Sequence, residues 1–304
     1  MVAATMYLMR WSVIKPLLWV YGIEPQVSEL AFLGLVFSTV VITAAGYVIN
    51  DYHDVRADHI NKPKKVVVGL DLSRRLAMLI HLLLNFTGVA VGIVFSILYH
   101  VPWMIVIFAG APLLLWYYSL RLKHVLLAGN LAVSLLTATV PLLVILFEYP
   151  LLARNFSENI VFYPKGLLAI LVWVSAFSFF AFMTNLIREI IKDAEDIEGD
   201  KELGSQTFPI LYGLRKTKML IAGLTVFTVL ILGFFFLTYL KDWISLIYYI
   251  IGLFLPFVFL MVKVGKSEDT LDFSFLSQWI KLIMLVGLLY APVAQWLIRN
   301  FLSR

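Results

Sequence analysis

The sequence predicts an all-α integral membrane protein in which nine transmembrane helices surround a central cavity with a cytoplasmic cap. Of its 304 residues, 62% are hydrophobic and only 14% are charged, whereas soluble domains carry about 25% charged residues. Long apolar runs recur along the chain, each close to the roughly 20 residues that span a bilayer. We see no soluble domain, linker or low-complexity tract, so residues 1–304 are predicted to form a single transmembrane domain.

The apolar runs place the nine spans in order. They are predicted at residues 7–22, 29–50, 76–99, 102–120, 125–147, 167–191, 218–240, 243–262 and 276–298. The first is interrupted by Arg10 and Lys15, and it lacks a basic region followed by a small-residue cleavage site, so we interpret it as a retained helix. The chain contains no cysteine, which excludes disulfides, thiolate metal sites and cysteine nucleophiles.

The distribution of Lys and Arg predicts the orientation of these spans. With the N-terminus inside, seventeen basic residues, Arg10 among them, fall on the cytoplasmic side and five fall outside. Basic residues concentrate in the cytoplasmic loops of membrane proteins. We therefore predict a multi-pass protein whose active site faces the cytoplasm, where the two longest charged loops cap one cavity.

Two aspartate-rich segments follow the second and sixth spans. Both contain the pattern D-x-x-D-x-x-x-D, in NDYHDVRAD at 50–58 and in DAEDIEGD at 193–200. Positions i, i+3 and i+7 of an α-helix lie within about 60° of one another, so each pattern predicts three carboxylates on one helix face. Like charges at this spacing destabilise a helix, and a bound divalent cation would compensate.

The ligand set favours Mg²⁺, for which we expect two ions, bound together with a diphosphate. Oxygen ligands suit Mg²⁺, which proteins commonly hold with one or two carboxylates plus substrate phosphates. Basic residues at 62, 64, 65, 188, 192 and 201 flank the two motifs, and such residues pair with phosphate oxygens. An apolar cavity with this site at its mouth predicts a polyprenyl diphosphate donor and a lipid-soluble acceptor within the bilayer, and no nucleic-acid partner. Mg²⁺ would neutralise the leaving diphosphate while the cavity shields the carbocation from water.

These motifs resemble the UbiA superfamily of intramembrane prenyltransferases, which has nine helices and two cytoplasmic aspartate-rich motifs. Further similar segments are INKPKK at 60–65, YSLRLK at 118–123, LLAGN at 126–130 and REIIKDAEDIEGD at 188–200. The combination is most similar to the geranylgeranylglyceryl phosphate geranylgeranyltransferases, which make an ether lipid. The resemblance therefore implies prenyl transfer to geranylgeranylglyceryl phosphate.

The resemblance also implies residue roles. Catalytic carboxylates are expected at Asp54, Asp58, Asp193, Asp196 and Asp200. These and Asn50 are the expected metal ligands, and the spacing pattern adds Asp51. Substrate contacts are expected at Lys62, Lys65, Tyr118, Lys123, Asn130, Arg188 and Lys192. Lys15, an ionisable residue within a span, is a further candidate for the acceptor's phosphate.

Two alternatives remain open from the sequence. One is an aromatic acceptor of the 4-hydroxybenzoate, dihydroxynaphthoate or chlorophyllide type, because KVVVG at 65–69 departs from the family's R-P-L-P-S-G. The other is a divalent-cation transporter. Transporters place carboxylates near the bilayer midplane, whereas all nineteen acidic residues here fall in loops or at span ends, which argues against that class.

Overall fold

The computed structural model describes residues 1–61, 66–156, 158 and 165–302. Within these residues the chain is helical, and its only β pairing is an isolated bridge between Val68 and Leu72. Seven helices are long and apolar enough to cross a membrane: Glu29–Asn61, Arg74–Leu98, Ala128–Phe156, Lys165–Glu195, Phe208–Leu240, Trp243–Lys266 and Thr270–Asn300. The predicted all-α membrane protein is therefore confirmed.

The predicted count of nine spans is not reproduced within the described residues. The fourth span corresponds to Met104–Leu120, which has only 17 residues. The first corresponds to α1 (Val2–Leu8), a π-helical stretch (Met9–Ile14) and α2 (Lys15–Trp19). Both segments are helical as predicted, but neither has the length and composition of the other seven.

The remaining helices are labelled in chain order. They are α3 (Glu29–Asn61), α4 (Arg74–Leu98), α5 (Met104–Leu120), α6 (Ala128–Phe156), α7 (Lys165–Glu195), α8 (Ile197–Glu202), α9 (Phe208–Phe235), α10 (Trp243–Ile247), α11 (Leu255–Lys266) and α12 (Thr270–Leu297). They divide into two compact units. The first unit comprises Met1–Leu120, Thr139–Ser178 and Ala294–Arg304, and the second comprises Arg121–Ala138 and Phe179–Val293. The single-domain organisation stays a prediction.

In the first unit, close packing of α3 on α4 fixes the helix that carries the first motif. A Cβ on Gly88 would lie 2.7 Å from Cγ1 of Ile42, so only glycine permits this approach. The Ser38 hydroxyl donates to the Gly88 carbonyl at 2.6 Å, and Nδ1 of His81 lies 2.9 Å from the Ala45 carbonyl oxygen. Such polar contacts between membrane helices are enriched where small residues let backbones approach.

The same unit corrects the predicted side of Arg10. Its guanidinium donates to the Val27 carbonyl and pairs with Glu29 at 3.1 Å, where α3 begins. The first motif starts at Asn50, about 30 Å further along α3 at 1.5 Å per residue. Placing Arg10 on the same side as the first motif is therefore wrong, because its contacts with Val27 and Glu29 hold it at the opposite end of α3 from the motif.

In the second unit, an apolar face anchors α7. Ile187, Ile190 and Ile191 are buried with residues of α9, α11 and α12, among them Phe257 and Ile280. Successive residues of an α-helix are about 100° apart around the axis, so the polar residues in the last turns of α7 lie on the side opposite these isoleucines. Packing of the isoleucines therefore orients the charged residues around the second motif.

Candidate active site

The first aspartate motif lies on one continuous helix, as predicted. The helix α3 runs without interruption through Asn61, and Asn50, Asp54 and Asp58 recur every four residues along it. The side-chain amide of Asn50 donates to Oδ2 of Asp54 at 2.6 Å. Asn50, Asp54 and Asp58 are partly buried and form one stripe along the helix, whereas Asp51 is exposed and lies outside this stripe.

One atom of this stripe has an unusual environment. The Oδ1 atom of Asn50 is buried, and within the described residues it has no hydrogen-bond partner. Buried polar atoms in proteins are nearly always paired. Hard cations bind oxygen ligands, so a buried, unpaired oxygen beside the Asp54 carboxylate is a suitable ligand for such a cation.

Of the three expected substrate residues Lys62, Lys65 and Tyr118, the structure describes one. Lys62 and Lys65 lie outside the described residues. Tyr118 is partly buried in the last turn of α5.

The second motif does not lie on one continuous helix, which corrects the prediction of a single helix face. The helix α7 ends at Glu195, and Asp196 takes the non-helical angles φ −98° and ψ 14° before α8 begins. Backbone hydrogen bonds lie on both sides of this break between α7 and α8. The Asp196 amide donates to the Lys192 carbonyl at 2.8 Å, and the Asp200 amide donates to the Asp196 carbonyl at 3.1 Å. Asp196 is therefore the residue at which the chain leaves α7 and enters α8.

Asn130 binds the first carboxylate of this motif. Its Nδ2 donates to Oδ2 of Asp193 at 2.8 Å, and Asn130 is buried at the start of α6. Behind it, the Ser134 hydroxyl donates to the Asn130 carbonyl at 2.6 Å, and the Asn185 amide donates to the Ser134 hydroxyl at 3.3 Å. The structure thus joins Asn130 to the second motif, and hydrogen bonds from Ser134 to Asn130 and from Asn185 to Ser134 hold Asn130 in place.

The two expected cations on α7 share a carboxylate that the sequence prediction missed. Nη1 of Arg188 lies 2.6 Å from Oε1 of Glu189, and Nζ of Lys192 lies 3.5 Å from Oε2. Glu189 is only 7% exposed, so it compensates both charges inside the protein. The i, i+3 spacing of Glu189 and Lys192 is a signal that could have identified this residue.

Arg188 also carries an unsatisfied donor. Its Nε is buried and has no hydrogen-bond partner within the described residues. The guanidinium presents its donors as a planar fork that matches phosphate geometry. Glu189 engages Nη1, and Nε is a donor that remains with capacity for an anionic ligand.

Lys123 lies on a short 3-10 turn, Leu122–His124, directly before α6. A Cβ on Gly129 would lie 2.7 Å from the Cα of Lys123 and 2.9 Å from the Leu122 carbonyl oxygen. Only glycine allows this backbone approach, which seats the turn against the start of the helix that bears Asn130.

Lys15 lies away from the first motif. Its ammonium is 3.5 Å from Oε2 of Glu24 and 4.7 Å from the centre of the Trp11 ring. Like Arg10, it is at the Glu29 end of α3. The structure therefore does not join Lys15 to the aspartates, because Glu24 and Trp11 hold its ammonium elsewhere.

In the described part of the chain, no group of three or more His, Asp or Glu side chains is placed so that it could bind a metal ion. Mg²⁺ sites in phosphate-processing enzymes commonly need only one or two carboxylates, with substrate oxygens and water completing the shell.

We expect Asn130→Ala to weaken activation by Mg²⁺ about tenfold, because the loss of a residue that orients a metal ligand typically costs 10- to 100-fold. The measurement is the Mg²⁺ concentration for half-maximal turnover. Asn155→Ala, an exposed asparagine on the same helix, is the control and should leave it unchanged. Equal values for both variants would show that the bond to Asp193 has no such role.

The chain is similar to proteins of a known family. Residues 13–292 match the family model described as the UbiA prenyltransferase family. A digeranylgeranylglyceryl phosphate synthase of Methanobrevibacter smithii is 30% identical over 263 residues, which cover 85% of this chain and 83% of that protein.

Two solved structures share the fold. A digeranylgeranylglyceryl phosphate synthase structure has a TM-score of 0.61 at 23% identity, covering 97% of this chain and 91% of that one. A UbiA homologue from Archaeoglobus fulgidus, bound to DMAPP and Mg²⁺, has a TM-score of 0.56 at 16% identity and covers 96% of both chains.

The family match extends over nearly the whole chain, and the identity with the curated relative holds over most of both proteins. These findings favour an enzyme over the cation transporter that the sequence left open. The chain is an integral membrane prenyltransferase and belongs to the UbiA prenyltransferase family.

Proposed function

We propose that this enzyme transfers a geranylgeranyl group from its diphosphate to geranylgeranylglyceryl phosphate and so forms an ether lipid. The names of the relatives support this acceptor, since the Methanobrevibacter smithii protein is a digeranylgeranylglyceryl phosphate synthase. The products are the ether lipid, inorganic diphosphate and one proton.

The observation that carries the proposal is the polar face of α7. It presents Arg188 with a buried, unsatisfied Nε, and five residues later it presents Asp193, which Asn130 orients. A cationic donor and a carboxylate on adjacent turns are what a metal-bound diphosphate needs, because the carboxylate binds the metal and the guanidinium binds phosphate oxygens.

Mg²⁺ fits the residues present. In the first motif, the unpaired Oδ1 of Asn50 and the Asp54 carboxylate are hard oxygen ligands. In the second motif, Asp193 is the corresponding ligand. We propose that two ions bind, and that Asp58, Asp196 and Asp200 complete their surroundings directly or through water. The homologue from Archaeoglobus fulgidus is bound to Mg²⁺ and DMAPP, which supports the choice of metal and the class of donor.

Different groups in the site have different roles in the reaction. Bound Mg²⁺ supplies positive charge that stabilises the leaving diphosphate. Further charge and hydrogen bonds on the diphosphate come from Lys62, Lys65, Tyr118, Lys123, Arg188 and Lys192. The bond between the allylic carbon and the diphosphate oxygen breaks, the acceptor hydroxyl oxygen bonds to that carbon, and the hydroxyl proton is released. The apolar helices exclude water from the carbocation.

We also propose that the site faces the cytoplasm. The excess of Lys and Arg at the helix ends and loops near both motifs supports this orientation. Moving Arg10 to the other side leaves the bias strongly in the same direction.

An acceptor panel tests the proposal. Purified enzyme in nanodiscs receives labelled geranylgeranyl diphosphate, Mg²⁺ and, separately, geranylgeranylglyceryl phosphate, 4-hydroxybenzoate, dihydroxynaphthoate or chlorophyllide. We expect Mg²⁺-dependent labelled ether lipid with the first acceptor alone. Prenylation of an aromatic acceptor instead would overturn the proposed acceptor and would indicate an enzyme of quinone or pigment biosynthesis.

A further inference from the structure

A hydrogen bond joins the turn that carries Lys123 to the segment that follows the second motif. Nδ1 of His124 lies 2.7 Å from the hydroxyl oxygen of Ser205. Ser205 is only 4% exposed, so water competes little for this contact. Both residues belong to the second unit, and 81 residues of sequence separate them.

Backbone bonds extend the connection in both directions. The Gln206 amide donates to the His124 carbonyl at 2.8 Å, which makes a second tie between the same two segments. The Ser205 amide donates to the Asp200 carbonyl at 2.9 Å. The path therefore runs from the Lys123 turn through His124 and Ser205 to the last aspartate of the second motif.

The other end of the turn is fixed by packing. Gly129 allows the Lys123 backbone to lie against the start of α6, and the next residue, Asn130, binds Asp193. The turn is thus attached to the first aspartate of the second motif on one side and to the last aspartate on the other. Such doubly attached turns hold a side chain in one place, which a binding site requires.

We propose that His124 and Ser205 are positioning residues for the donor substrate. Their hydrogen bond holds the Lys123 turn beside the second motif, so that the ammonium and the aspartates engage one metal-bound diphosphate together. The inference rests on the proposed function, because it takes Lys123 and the aspartates as the diphosphate site. Neither His124 nor Ser205 touches the reacting atoms in this account.

The test is a double-mutant cycle of His124→Ala, Ser205→Ala and the double variant, assayed in nanodiscs with geranylgeranyl diphosphate. Each single change should raise the KM for the donor roughly fivefold, which is the usual effect of losing one hydrogen bond. The double variant should show nearly the same increase, because both changes remove the same bond. The kcat and the KM for the acceptor should stay within about twofold of wild type.

Conservative variants separate positioning from general destabilisation. His124→Asn retains a polar group near the position of Nδ1, and Ser205→Thr retains the hydroxyl, so both should restore the donor KM. Ser267→Ala removes another buried serine hydroxyl of this unit, one bonded to the Lys263 carbonyl, and should not change the donor KM.

The outcomes are distinguishable. Additive effects, an unchanged donor KM, or a fall in kcat that tracks the melting temperature would each overturn the positioning role while the wild-type enzyme still makes ether lipid. If the wild-type enzyme prenylates no acceptor at all, the proposed function fails instead.

Discussion

Replacement of Asp193 by Asn is expected to lower prenyl transfer more than about 100-fold, because altering a residue that merely orients a metal ligand already costs 10- to 100-fold. The substitution keeps the size of the side chain and removes its charge. The carboxyl group of Asp193 receives a hydrogen bond from Asn130, which holds its oxygens in place. Asp54→Asn should have an effect of similar size, since Asp54 forms the bonded pair with Asn50 on α3.

Neighbouring acids provide matched controls for these two variants. Glu198 is exposed on α8 and Asp51 is exposed on α3, so Glu198→Gln and Asp51→Asn should reduce turnover far less. Steady-state rates at saturating Mg²⁺ measure the difference. If exposed and motif acids lose activity equally, net charge at the membrane surface rather than metal binding explains the effect.

Arg188→Lys is expected to raise the KM for geranylgeranyl diphosphate roughly 10- to 100-fold, the range expected for losing a hydrogen bond between charged partners. The variant retains the positive charge but lacks the planar fork of donors. The buried Nε of Arg188 has no partner in the described residues, and we propose that the diphosphate supplies it. The KM for the acceptor should change little.

An exposed arginine on α9 provides the comparison. Arg215→Lys makes the same chemical change on the surface of the second unit, and it should leave both KM values near wild type. A normal donor KM in Arg188→Lys, with a reduced melting temperature, would mean that Arg188 serves only to balance the charge of Glu189.

Much of the fold and part of the site could be predicted because they depend on local patterns. Apolar runs of membrane length mark the helices, and the D-x-x-D-x-x-x-D spacing marks both motifs. The spacing correctly predicted one continuous helix for the first motif, and the same spacing was wrong for the second. Asn130 could be selected through the family resemblance, and the structure then showed its bond to Asp193.

The remaining features depend on contacts between distant segments. The break at Asp196 arises where one helix ends and another restarts, and a periodic pattern gives no sign of it. The bond between His124 and Ser205 joins residues that are far apart in the chain. Lys15 and Arg10 were misplaced because the partners that hold them, Glu24 and Glu29, lie in the segment that follows their helix.

We propose that both aspartate motifs bind one metal-bound diphosphate. The direct test is a structure of the enzyme with Mg²⁺ and geranylgeranyl thiolodiphosphate, a donor analogue that resists ionisation. We expect a diphosphate whose metal ions contact Asn50 and Asp54 on one side and Asp193 on the other, with Arg188 donating to its oxygens. A diphosphate bound by one motif alone, or at a site without either, would contradict the account.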